Sequence, residues 1–121
     1  MKIDDPLITR VDLGKLLEKN KGVLIIKFGA KWCGPCKTIE GLVNQYFDMM
    51  PDNVSTIEVD IDDAVDIYGF LRSKKVVNGI PVILAYYEGN THYIPDDIVV
   101  GIDPNKIKQF FQRCVIQSTK F

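Results

Sequence analysis

The chain is predicted to fold as an α/β domain, a mixed central β-sheet with helices on both faces in the order αβαβαββα. A short, nearly continuous apolar run rich in β-branched residues, 23–28, reads as a strand covered on both faces, and 82–87 reads as a further apolar strand. Between and around them, apolar residues recur at helical spacing. Strand–helix–strand units cross over right-handedly, which sets helices on both sides of one sheet. At 121 residues and 46% hydrophobic, the chain is expected to form a single domain over 1–121. A core of that size needs neither disulfides nor metal.

Each element has its own local signals. Asp12 is positioned to cap a first helix carrying Leu13, Leu16 and Leu17, with Gly22 just past its end. After strand 23–28, a second helix is expected from Cys33 to about Met50, and Pro51 ends it. Ile39, Leu42, Val43, Tyr46, Phe47 and Met50 make its apolar stripe. A strand over 54–60 follows, then a helix over about 62–72 with Val65, Tyr68 and Leu71 inward. Glu88-Gly89-Asn90 turns strand 82–87 into a shorter strand at about 97–101. Asp103 then caps a last helix with Pro104 at its first position, lined by Ile107, Phe110, Phe111, Cys114 and Val115.

Composition excludes several classes of function. The 15 basic and 16 acidic residues nearly cancel, so no large electrostatic drive toward nucleic acid or anionic membrane is expected. No apolar run approaches the roughly 18–20 residues of a membrane span. The start, Lys2-Ile3-Asp4-Asp5-Pro6, lacks the apolar core of a secretory signal, so a cytoplasmic location is expected. Three cysteines, an odd number, do not make a disulfide-stapled secreted scaffold.

Two of those cysteines carry a specific chemical signal in Trp32-Cys33-Gly34-Pro35-Cys36. The pair follows a predicted strand and opens a predicted helix, where spacing i, i+3 allows a small disulfide ring. Unpaired N–H groups and the positive end of the helix dipole stabilise a thiolate at the first position. Its pKa falls and it becomes nucleophilic near neutral pH. Pro35 suits a first helical turn and stiffens the ring, and Gly34 lets a substrate backbone approach. Two other readings stay open at this point. Cys33, Cys36, His92 and Cys114 could in principle supply four zinc ligands, though without a second closely spaced pair. Alternatively the two cysteines are inert and buried, against which stands Trp32 beside them. Cys114, on an apolar stripe, reads as a small core residue.

The segment Ala30-Lys31-Trp32-Cys33-Gly34-Pro35-Cys36-Lys37 resembles the active-site signature of thioredoxins. Val59-Asp60-Ile61-Asp62, Gly79-Ile80-Pro81 and Val100-Gly101 fall where that family has counterparts, so the likeness runs from about Asp12 to Cys114. The resemblance implies the thioredoxin fold and protein-disulfide reduction without a bound cofactor or metal. It implies Cys33 as the attacking nucleophile and Cys36 as the residue that resolves the mixed disulfide. Pro81 would be a cis-proline, the Ile80 backbone would pair with substrate, and Trp32, Val100 and Gly101 would line the groove. Partners would be disulfide-containing proteins and a reductase or dithiol donor, with no role for nucleic acid or membrane.

The chain departs from that pattern beneath the cysteines. Six residues before Cys33, where the family has a buried carboxylate, stands Lys27, and where the neighbouring strand usually has a lysine stands Glu58. The two are expected to form a buried or half-buried ion pair, because a lone lysine in such a run is costly to bury. In that reading Lys27 stabilises thiolates and Glu58 can accept a proton. The alternative places this strand near an edge, with Lys27 snorkelling to water. The segment 63–78 and the hairpin 89–95 are also longer than the family's, extensions that surface loops tolerate. A different class of function remains compatible with the fold: a binding or structural module that docks through the groove or these loops. A third, an oxidase or isomerase, depends on the reduction potential.

Overall fold

The computed structural model describes residues 1–120. In chain order the elements are α1 (Arg10–Lys19), β1 (Val23–Gly29), α2 (Gly34–Met49), β2 (Val54–Asp60), a 3₁₀ turn (Ile61–Asp63), α3 (Val65–Ser73), β3 (Val82–Tyr87), β4 (Asp97–Val100) and α4 (Pro104–Ser118). The order αβαβαββα is the one expected. The four strands form one sheet in the order β2-β1-β3-β4. β1 runs parallel to β2 and antiparallel to β3, and β3 pairs antiparallel with β4. The sheet is therefore mixed, with β1 in its interior.

Side-chain alternation along β1 divides the core in two. Leu24, Ile26 and Phe28 join Leu13, Leu17, Ile67 and Leu71 beneath α1 and α3. Val23 and Ile25 join Ile39, Val43, Ile107 and Phe111 beneath α2 and α4. Every residue of β1 is buried, which is why it reads as a continuous apolar run. Gly22 precedes it where a Cβ would overlap the Asn53 carbonyl oxygen. A short parallel bridge, Lys2 to Thr56, lays the segment Met1–Ile3 along the outer side of β2, through Thr56 N–H to Met1 O and Ile3 N–H to Thr56 O.

Three local expectations are corrected. Thr9, not Asp12, is the N-cap of α1; Asp12 is the third helical residue and closes a capping box by accepting from the Ile8 and Thr9 amides. α3 starts three residues later than expected, because Ile61–Asp63 forms a separate 3₁₀ turn capped by Asp60. Val65, expected inward, is consequently 72% exposed at the helix start, and Ala64, Ile67, Tyr68 and Leu71 fill that face. The extended hairpin is no free surface loop throughout. Tyr93 packs edge-on against Phe70, and its carbonyl accepts from Tyr86 Oη.

Candidate active site

The site assembles at one end of the sheet. β1 ends at Gly29, and its partner register (Phe28 opposite Val82, Val82 opposite Val100) brings the start of β3 and the end of β4 to the same end. The cysteine loop leaves that end of β1. Pro81 precedes β3, with the Ile80–Pro81 bond cis, and Gly101 follows β4 at φ 90°. The Gly101 N–H donates to the Pro81 carbonyl at 3.1 Å, tying two of the three segments together.

Cys33 is the N-cap of α2, and its sulfur accepts from the Cys36 amide at 3.2 Å. Sequence dictates this arrangement. Gly34 and Pro35 occupy the first two helical positions, where proline costs no hydrogen bond, and Cys36 falls one turn after the cap. The sulfur thus receives a free N–H at the positive end of a 16-residue helix. Cys33 and Cys36 are joined as a disulfide, with Cα atoms 5.3 Å apart. Both are nearly covered, at 5% and 6% exposure. Cys36 packs over the end of β1: a Cβ at Gly29 would stand 3.4 Å from Cys36 Sγ, in ordinary van der Waals contact.

Apolar residues of differing exposure stand on one side of the pair. Trp32 is 66% exposed, Val100 is exposed and Ile80 half-buried, while Pro81 is buried. Trp32 Nε1 donates to Asp62 at 2.8 Å. Asp60 accepts from the Lys31 and Asp62 amides and so fixes the loop that carries the tryptophan. Neither carboxylate has a role in the sequence analysis, although an aspartate that ends a strand, with another two residues on, is a turn-capping signal.

Beneath the disulfide, Lys27 is 3% exposed, and its Nζ lies 3.2 Å from Glu58 Oε1. The two residues are direct neighbours in the β1–β2 register. Lys27 sits in an interior strand, so the snorkelling alternative is wrong. The expected pair is present and lopsided, with Glu58 53% exposed. Lys27, Glu58 and Cys36 line one open cleft of about 640 Å³.

The four residues considered for zinc are not brought together. Cys114 lies on the buried face of α4, whereas His92 is exposed and stacks on Tyr93, which packs on the opposite core. Among the described residues no group of three or more His, Cys, Asp or Glu side chains is placed to hold a metal ion. Among the described residues no helix is long and apolar enough to cross a membrane.

A sequence model of the thioredoxin family matches residues 7–113. The chain belongs to the thioredoxin family. A thioredoxin of Bacillus subtilis is 29% identical over 103 residues, covering 85% of this chain and 91% of its own length. Thioredoxin 3 of Plasmodium falciparum is 31% identical over 97 residues, 80% of this chain, which spans about half of that relative (51%). The solved thioredoxin of Fasciola hepatica superposes with a TM-score of 0.70 at 29% identity, covering 88% of this chain and 95% of its own. Thiol–disulfide oxidoreductase chemistry fits the site that membership and the Cys33–Cys36 disulfide define together.

Proposed function

We propose that the chain reduces disulfides in protein substrates by two-step exchange through Cys33 and Cys36. The observation that carries this reading is the placement of Cys33 as N-cap of α2, its sulfur facing a free amide and bonded to a cysteine one turn on. In the reduced pair, the Cys33 thiolate attacks a substrate disulfide and releases one substrate thiol. Cys36 then attacks Cys33 Sγ, the second substrate sulfur leaves, and the disulfide seen here results. Trp32, Ile80, Pro81, Val100 and Gly101 form the groove that receives an extended segment around the substrate disulfide, with the Ile80 backbone pairing to it. A reductase or a dithiol donor restores the pair, and the electrons need no bound cofactor.

We also assign the chain to the reducing cytoplasm and read it as one domain over 1–121. Reduction of insulin disulfides with a dithiol donor tests the activity. Turnover is expected above the donor's own rate and lost in Cys33→Ser; no turnover by the intact pair would leave the groove as a docking surface only.

A further inference from the structure

Charge placement behind Cys36 carries an inference that deepens, and rests on, the two-cysteine reading above. We propose that Lys27 is the buried cation that stabilises the Cys36 thiolate, and that Glu58 moderates this charge without receiving the Cys36 proton. In this role Lys27 is a positioning residue: it acts on the reaction through the charge state of Cys36.

The geometry has three parts. Gly29, whose Cβ position would lie 3.4 Å from Cys36 Sγ, is two residues beyond Lys27 on the same strand and the same face. Lys27 therefore points into the layer under the first turn of α2, where it lines the cleft with Cys36. Second, its ammonium is removed from water, so its field is weakly screened. Third, its partner carboxylate belongs to the next strand and is half in solvent, which weakens its hold on the charge and its reach toward the thiol.

Other charged groups face the same cleft. Lys31 lies on the cysteine loop, Lys37 and Glu40 on α2, Glu58 and Asp60 on β2, and Asp63 on the 3₁₀ turn. All except Asp60 are exposed, so solvent screens them. Asp60 already accepts two backbone amides. Lys27 is the sole buried charge among the described residues of this cleft.

The step balances without a protein base. In the mixed disulfide, Cys36 releases its proton to water in the open cleft. The thiolate electron pair attacks Cys33 Sγ, the Cys33–Cys36 bond forms, and the bond from Cys33 to the substrate sulfur breaks. The departing substrate thiolate takes a proton from solvent.

The test reads Cys36 ionisation by thiolate ultraviolet absorbance in a Cys33→Ala background, together with single-turnover resolution of a mixed disulfide in the intact pair. Lys27→Met is expected to raise the pH at which Cys36 ionises by about one unit, a tenfold loss of thiolate below that pH. Because nucleophilicity rises with thiol pKa, the net slowing of resolution is about threefold. Glu58→Gln, which frees the cation, is expected to lower the ionisation pH and leave resolution no slower. An unchanged Cys36 ionisation in Lys27→Met, or slower resolution in Glu58→Gln, overturns the proposal; the second result makes Glu58 the base. Lys27→Met leaves Glu58 half in water, so folding is expected and is checked by thermal melting. Should it not fold, the direction of the Glu58→Gln shift decides alone. Ionisation is read without any protein substrate, so a failure in insulin reduction is told apart from a failure of this proposal.

Discussion

Thr56 lies in the middle of β2 with its hydroxyl oxygen buried, the one such side-chain polar atom without a hydrogen-bond partner among the described residues. A buried hydroxyl left unpaired costs about 1–3 kcal/mol. Thr56→Val keeps the β-branched shape and removes that cost, so it is expected to stabilise by about 1 kcal/mol in urea denaturation. Cys114 presents the opposite situation, a thiol suited to its surroundings. Burial, with Asp97 adding to it, pushes its pKa from 9.0 up to about 12. The folded chain thus holds this proton where the unfolded chain has released it. The stability Cys114 contributes is complete below pH 9 and is lost as pH rises toward 12. Replacement by Ala should flatten that part of the alkaline limb. In the reduced native protein, alkylation near neutral pH is expected at the paired cysteines and at Cys114 only after unfolding, as mass spectrometry would read.

At the scale of single elements, α1 depends on its first turn. Thr9→Ala removes the cap and should cost about 1 kcal/mol in thermal or urea unfolding. The Ile8 and Thr9 amides hold the Asp12 carboxyl below its ordinary 3.8. That contribution is present above pH 3.8 and disappears as pH falls through the lower folded value, so Asp12→Asn should flatten the acid limb. The same elements show what was legible beforehand. α2 could be read whole, because Pro35 at its start, Pro51 after its end and a stripe such as Ile39, Val43 and Phe47 agree. The boundary of α3 could not, since Asp60, Asp62 and Asp63 favour caps as well as a first helical turn, and only the packing of Ala64, Ile67 and Leu71 decides the phase. Asp12 reads as the cap in place of Thr9 for a related reason: both members of a capping box are good cap residues.

Across the whole molecule, the functional end of the sheet joins segments far apart in sequence. The cysteine motif announces itself because its chemistry is local, one helical turn long. The contact between Gly101 and Pro81 is a product of the β3–β4 register, and so is the seating of Lys27 against Glu58 in the β1–β2 register. Sequence could suggest that Lys27 needs a carboxylate; it could not show that the lysine is enclosed while the glutamate faces water. Gly101 holds φ 90°, a conformation costly for side-chain-bearing residues. Gly101→Ala is therefore expected to destabilise by about 1–2 kcal/mol, as unfolding would measure, and to weaken insulin reduction by disturbing the junction with Pro81.

The segment Met1–Ile3, laid beside β2, has a consequence for how copies of this chain meet. An open sheet offers two rows of unpaired backbone groups to any other strand, a template for aggregation. Here the β2 border is occupied around Thr56 by the chain's own first residues. The opposite border, β4, is four residues long and begins with Asp97, which Arg113 on α4 grips through two hydrogen bonds. Each border is thus shortened or covered, and strand addition between molecules is discouraged at both.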